Sequence, residues 1–143
     1  MSADASTAIS ICIARYARGL DDRDFDAVAA CFTADAQVTY SGVALAPGRD
    51  AIVDYLQGLR SLIASTHIMS QPVIDVDGDR AHVETSGLAF LVAPTDGQPV
   101  VRTRGLRYVD EFVLQDGRWQ IAERVHRCDW MYEGPLAPTM RAR

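Results

Sequence analysis

Apolar residues near the start of the chain recur every three or four positions, which is the period of an amphipathic helix. Either Ser2 or Ser6 can cap this helix, and Gly19 marks its predicted end. The pattern therefore predicts a long first helix with one buried face. The positions that form this face are Ile9, Ile13, Tyr16, Ala17 and Leu20.

A run of acidic residues at 21–24 follows, which suits a turn and the start of another helix. The pattern predicts a short second helix over 25–32 and a strand over 37–40. A third helix is expected to begin at Gly48. Its apolar positions are Ile52, Val53, Tyr55, Leu56, Leu59 and Leu62.

From Thr66 onward the apolar pattern changes to β-branched and aromatic residues separated by glycine-containing turns at 77–79, 94–97 and 115–117. We expect glycine at the positive-φ position of each turn. Helices followed by a meander predict an α+β fold, in which the helices cover one face of a curved antiparallel sheet. The four long strands are expected at about 66–76, 80–93, 100–114 and 118–129.

The composition fits one globular domain over 1–143, with 132–143 as an irregular tail because two prolines and a glycine exclude a helix there. The chain is 48% hydrophobic and 23% charged, and no apolar run approaches the roughly 20 residues of a membrane span. The first residues do not resemble a signal peptide, so we expect a cytoplasmic protein without membrane association.

The formal net charge of −5 and the lack of a basic run argue against a nucleic-acid partner. Every basic side chain among the 14 is arginine, which excludes a lysine Schiff base. Cys12, Cys31 and Cys128 lack metal or disulfide spacing, and we expect buried thiols, no metal and no cofactor.

One histidine and one aspartate are the best candidates for acid–base chemistry. Asp21 directly follows the first helix, and His67 opens a hydrophobic run. A carboxylate that holds an imidazole fixes its tautomer and stabilises its charged form, so the ring can take a proton near neutral pH. Two alternatives stay open: Asp21 as the N-cap of the second helix, and His67 as a hydrogen-bonded core histidine. His82 alternates with apolar neighbours and is expected to face solvent.

Four segments of the chain resemble, in order, the landmarks of the SnoaL-like branch of the nuclear transport factor 2-like superfamily. They are 16–25, 31–36, 48–52 and 116–121. The resemblance covers nearly the whole chain and implies a cone-shaped α+β barrel that encloses a pocket. It also implies relatives such as scytalone dehydratase, bile-acid 7α-dehydratase and γ-hexachlorocyclohexane dehydrochlorinase, which eliminate a leaving group without a cofactor.

The resemblance implies roles for particular residues. Asp21 and His67 match the Asp–His pair of those enzymes, and Tyr16 matches a tyrosine that acts as proton donor or substrate clamp. Arg124 falls where the dehydrochlorinase has a pocket arginine, so the resemblance implies a substrate-binding role in orienting an anionic or halogenated group. His126 shares the strand parity of Arg124 and is expected on the same face, with stacking beside Trp130 or a subunit contact as the alternative. Tyr55 is either a core residue or a substrate contact.

The expected function is a dehydratase-type β-elimination, by a cofactor-free lyase, on a small hydrophobic ring-containing molecule. An isomerase that uses the same base, epoxide opening or aldol-type cyclisation, and a non-catalytic ligand-binding or accessory module are the alternatives. Long strands with apolar residues on both faces also predict a homo-oligomer. The resemblance favours a trimer over a dimer.

Overall fold

The computed structural model describes residues 2–137, and the side chains from residue 5 onward. Helices precede most of the sheet, as the pattern predicts. The elements are α1 (Ser2–Asp22), α2 (Phe25–Ala30), β1 (Phe32–Tyr40), β2 (Val43–Ala44), α3 (Arg49–Leu56), a 3₁₀ helix (Gln57–Ser61), β3 (Ala64–Met69), β4 (Val73–Asp77), β5 (Arg80–Ala93), β6 (Val100–Gln115) and β7 (Arg118–Pro135).

The seven strands form one mixed sheet in the order β2-β1-β7-β6-β5-β3, with β4 also paired to β5. Strand β1 runs parallel to β7, whereas the other pairs are antiparallel. The sheet is not closed, so the fold is a curved open cone. The antiparallel pairing expected for the long strands is confirmed, and β1 adds a parallel pairing with β7, which leaves no turn signal in the sequence because it joins distant strands.

Helix α1 continues past Gly19 to Asp22. A Cβ on Gly19 would lie 2.7 Å from Val28 Cγ2, so this glycine permits the close approach of α1 and α2. Arg23 ends the helix instead, with a φ of 58°, and the Asp24 amide donates to the Gly19 carbonyl at 2.9 Å. The left-handed residue at the helix end is therefore an arginine.

Several element boundaries differ from the predictions for local reasons. The second helix ends at Ala30, and β1 begins much earlier than expected. The strand expected over 66–76 is divided into β3 and β4 around Pro72, which cannot donate to a ladder. Strand β7 continues to Pro135, so 132–135 are not irregular; residues 138–143 lie outside the described part.

Two of the three glycine turns adopt the expected geometry. Asp116 and Gly117 both have positive φ, at 51° and 73°, and Gly78 has a φ of 62°. Gly97 does not adopt a positive φ. Its turn is instead held by Thr95, whose hydroxyl donates to the Gln98 carbonyl and accepts from the Gly97 amide.

The core lies between the helices and the concave face of the sheet. Alternate residues of β5, from Ala81 to Ala93, point into it, and the residues between them face outward or are half-buried. Among residues 2–137 no helix is both long and apolar enough to cross a membrane. Core residues with at most 4% exposure include Ile9, Ile13, Phe32, Ile52, Val83, Phe112 and Ile121.

Candidate active site

Asp21 and His67 are in direct contact, where the last turn of α1 meets β3. The His67 Nδ1 atom lies 2.7 Å from Asp21 Oδ1. The His67 backbone amide also donates to Asp21 Oδ2, at 2.8 Å. The Asp21 carboxylate therefore hydrogen-bonds both the ring and the backbone of His67. The side chains are 6% (His67) and 20% (Asp21) exposed, so this contact is mostly shielded from water.

Two further residues hold the carboxylate in place. The Ser65 hydroxyl donates to Asp21 Oδ1 at 2.9 Å, and the Arg23 guanidinium donates to the Ser65 hydroxyl at 2.7 Å. Ser65 lies two residues before His67 on β3, so both side chains point to the same face. Arg23 reaches Ser65 from the end of α1. The sequence pattern gave no signal for this support.

The bond from Nδ1 determines what the imidazole can do. An ionised carboxylate only accepts hydrogen bonds, so Nδ1 must carry a proton. In the neutral ring Nε2 then carries a lone pair and can accept a proton. Among residues 5–137 no side chain hydrogen-bonds to His67 Nε2.

The capping role considered for Asp21 belongs to another residue. Asp24 is the N-cap of α2, and its Oδ1 accepts from the Ala27 amide at 3.1 Å. Asp21 lies before this cap, inside α1. Its carboxylate is therefore free to serve His67.

Tyr16 belongs to a separate buried cluster of aromatic and polar groups. Its hydroxyl lies 2.8 Å from the Tyr40 hydroxyl, and its ring packs edge-on against Tyr108 and Phe32. Burial raises the pKa of Tyr16, and it raises the pKa of Tyr40 and Tyr108 well above the usual range. These phenols are therefore neutral at physiological pH and can donate a hydrogen bond. The partner of the Tyr16 hydroxyl is Tyr40 rather than the Asp21–His67 pair.

Arg124 is buried and paired with Asp110, and its third nitrogen, Nη1, has no hydrogen-bond partner in the described part of the chain. Its Nε and Nη2 atoms each donate to Asp110 at 2.7 Å, and both side chains are at most 1% exposed. Its guanidinium also lies over the rings of Tyr16 and Tyr108, at 4.3 and 4.4 Å. Because Asp110 already neutralises this cation, the pairing disfavours the expected contact with an anionic group and leaves Nη1 as the one donor of Arg124 that a ligand could still use.

His126 faces the interior beside Arg124, as its strand parity predicts. Its ring packs against Tyr40 and Tyr108, with centroids 5.1 and 5.0 Å apart, and Nδ1 lies 3.3 Å from the Ser41 hydroxyl. Stacking beside Trp130 was the wrong alternative. Burial, and then the positive charge of Arg124, lower the pKa of His126 to about 4, so the ring is neutral at physiological pH.

Tyr55 is not a core residue. Its side chain is 44% exposed, and its ring stacks on Tyr40 with centroids 4.9 Å apart.

His82 faces outward as expected, where Nδ1 lies 2.5 Å from Glu111. The Glu111 and Glu84 carboxylates raise the pKa of His82.

Arg104 is a candidate that the sequence reasoning missed. It pairs with Ala89 on β5, and Ala89 pairs with His67 on β3, so His67 and Arg104 share the concave face. Its Nε is buried and has no hydrogen-bond partner in the described part of the chain. The alternation of β6 was the signal that could have found it.

The cysteines and acids provide no metal site within residues 5–137, where no group of three or more ligating side chains converges. Cys12 and Cys31 are buried free thiols, and Cys128 is half-buried.

Comparison with known proteins agrees with this architecture. The family model for the SnoaL-like domain matches residues 1–125. The chain belongs to the SnoaL-like domain family. Its helices and curved sheet fit the cone-shaped α+β fold of the nuclear transport factor 2-like superfamily. An uncharacterised Mycobacterium tuberculosis protein is 32% identical over 112 residues, which are 77% of this chain and 76% of that protein.

Solved structures include two enzyme-like neighbours of this SnoaL-like protein. One is a proposed scytalone dehydratase from Novosphingobium aromaticivorans, with 28% identity, a TM-score of 0.79, and coverage of 96% of this chain and 94% of that one. Another is a hexachlorocyclohexane dehydrochlorinase from Novosphingobium barchaimii, with 18% identity, a TM-score of 0.80, and coverage of 99% and 97%. The second likeness concerns the fold alone.

Proposed function

We propose that this protein is a cofactor-free lyase that performs a dehydratase-type β-elimination with His67 as its base. The observation that carries the proposal is the 2.7 Å contact between His67 Nδ1 and Asp21 Oδ1, which leaves Nε2 as the proton acceptor. The likeness to a proposed scytalone dehydratase supports the same reaction class.

The reaction follows from these groups. His67 Nε2 removes the proton next to an activating carbonyl of a small hydrophobic ring compound, and the electron pair forms the double bond as the leaving group departs. Asp21 stabilises the imidazolium that forms. The proton then returns from His67 to the departing hydroxide, which leaves as water.

Tyr16 has a supporting role in this proposal. Its hydroxyl pairs with that of Tyr40, and burial keeps both phenols protonated, so the pair supplies a donor for an oxygen that gains charge. Tyr55 extends this pair toward solvent by stacking on Tyr40 and would contact the substrate ring. His126 and Arg124 position the tyrosines from the sheet side, through ring packing and cation–π contacts.

The test uses a β-hydroxy tetralone, whose dehydration gives a fluorescent naphthol. Wild-type protein should accelerate naphthol formation, and His67→Gln should lower the rate by about 10²- to 10⁴-fold. His82→Gln is the matched control, since that histidine lies on the outer face. Solvent deuterium exchange beside the carbonyl without elimination would indicate an isomerase instead. Equal rates for wild type and His67→Gln would favour a binding module.

We also propose that the protein forms a homo-oligomer, with a trimer favoured over a dimer, through the outer face of the sheet. A cleft of about 350 Å³ lies on this face, lined in part by Ile68, Leu88 and Trp130. Ile68 is 53% exposed and Trp130 52%, which is unusual for large apolar side chains. Light scattering coupled to gel filtration checks the proposal, and a monomer at micromolar concentration would contradict it.

A further inference from the structure

The register of the sheet places a cationic side chain across from the proposed base. His67, Ala89 and Arg104 form one row across β3, β5 and β6. Neighbouring strands lie about 4.8 Å apart, so the backbones of His67 and Arg104 are separated by roughly 10 Å. Ala89 lies between them, and its short, buried side chain points to the same concave face. A ring compound bound between His67 and Arg104 would therefore touch both ends of the row.

Arg104 differs from its neighbours on the sheet in having no carboxylate partner among the described residues. Arg102 binds Glu133 at 2.8 Å, Arg107 lies 3.5 Å from Glu84, and Arg124 binds Asp110. The Arg104 Nε atom is buried without an acceptor, as are Arg107 Nε and Arg124 Nη1, but those two guanidiniums each have a carboxylate on another nitrogen. Because a buried donor without a partner costs free energy, this atom would gain from an acceptor that a ligand brings.

The charges on the concave face leave Arg104 uncompensated. Asp110 is neutralised by Arg124, and the charge of Asp21 is matched by the Arg23 guanidinium, which donates to Ser65 beside it. His126 is neutral, since burial and then Arg124 lower its pKa to about 4, with Arg104 adding to the same effect. The described groups therefore leave one positive charge beside the proposed base.

We propose that Arg104 binds a carboxylate of the substrate, so that the site takes small ring compounds carrying a carboxylate and disfavours their neutral analogues. The planar guanidinium fork matches a carboxylate, whose single charge balances the one free cation. A carboxylate held there anchors the ring over Ala89 and presents its other end to His67. This inference rests on the proposed function, because it concerns the substrate of that same site.

Calorimetric titration with two isosteric probes, naphthoate and naphthamide, tests the inference without any turnover. Wild-type protein should bind naphthoate about tenfold or more tightly than naphthamide, in line with a charge-assisted hydrogen bond. Arg104→Gln should remove this preference. Arg104→Lys should keep part of it, since an ammonium retains the charge but loses the fork. Arg102→Gln is the matched control on the same strand, because this exposed arginine already binds Glu133, and it should behave like wild type.

His67→Gln separates the inference from the proposed function. If both hold, this variant loses elimination but keeps its preference for naphthoate. If His67→Gln has no effect on elimination while Arg104→Gln still removes the preference, the proposed function fails and the carboxylate site stands. Equal affinity of wild type for the two probes, no binding of either, or a preference that survives Arg104→Gln or rises in Arg104→Lys would overturn the inference. Thermal unfolding of each variant verifies its fold. If Arg104→Gln does not fold, the partial loss of the naphthoate preference expected in Arg104→Lys tests the inference instead.

Discussion

Two side-chain pairs on the concave side of this protein have the same contact distance but differ in burial and in the donors they use. His67 and Asp21 meet at 2.7 Å, and so do Arg124 and Asp110. Two nitrogens of Arg124 donate to the two oxygens of Asp110, whose side chain is 0% exposed. In His67 only Nδ1 hydrogen-bonds to Asp21, whose side chain is 20% exposed, and Nε2 has no side-chain partner among residues 5–137. A short distance alone therefore does not mark a catalytic pair, and the proposed role of His67 depends on its unused proton-accepting atom.

The largest effect is expected from breaking the structural pair. Asp110→Ala should lower the free energy of unfolding by about 3–5 kcal/mol, because it leaves the Arg124 charge buried without a partner. Chemical denaturation measures the loss. Glu84→Ala, which removes the exposed partner of Arg107, is the control and should cost less than about 1 kcal/mol. Similar losses for the two variants would contradict the structural role of Asp110.

Removing the charge of the other carboxylate should affect rate more than stability. Asp21→Asn should slow naphthol formation by about a hundredfold, which is roughly 2.7 kcal/mol of barrier, because an amide no longer fixes the imidazole tautomer or stabilises its charged form. Steady-state kinetics on the tetralone probe measure this change. An Asp21→Asn variant with wild-type rate would remove Asp21 from the proposed mechanism.

The buried histidine beside Arg124 gives the structural region a dependence on pH. His126 has a pKa of about 4 in the folded protein and about 6.5 when unfolded, so folding favours its neutral form. Its contribution is complete above the unfolded pKa and is lost as pH falls from about 6.5 toward 4. Denaturation curves should lose roughly 2–3 kcal/mol over this window, and His126→Gln should flatten that part of the profile. An unchanged slope in the variant would assign the pH dependence to other groups.

The smallest effect separates the two neighbouring aspartates. Asp24→Ala should cost about 1 kcal/mol of stability, because it removes the N-cap of α2, and should leave the elimination rate unchanged. Comparing it with Asp21→Asn in the same assays shows whether capping and catalysis are divided between these two residues. If Asp24→Ala lost as much elimination rate as Asp21→Asn, the separate roles proposed for the two aspartates would be contradicted.

The sequence predicted those features that depend on local chemistry. The apolar spacing of α1 and the Asp116–Gly117 turn both give local signals, and the structure confirms both. The parallel pairing of β1 with β7 gives none, since it joins residues far apart in the chain. Gly19 was wrongly predicted to end α1. In a sequence, a glycine that ends a helix cannot be distinguished from one that allows a second helix to pack closely against the first.

The candidate site shows the same division. Asp21 and His67 were identified from residue type and family resemblance, but their contact depends on how α1 packs against β3. Arg124 was assigned to the substrate because a sequence does not reveal that Asp110 lies opposite in the register. Arg104 was missed for the converse reason, because only the register shows its place across from His67.

The central claim is that Asp21 holds the proton of His67 on Nδ1 and leaves Nε2 as the base. NMR of protein with isotope-labelled histidine ring nitrogens reads this tautomer directly, with His67→Gln used to assign the signal. The account predicts a protonated Nδ1 and an unprotonated Nε2 in the neutral ring of wild type, with this preference lost in Asp21→Asn. A neutral His67 protonated on Nε2 in the wild-type protein would contradict the account.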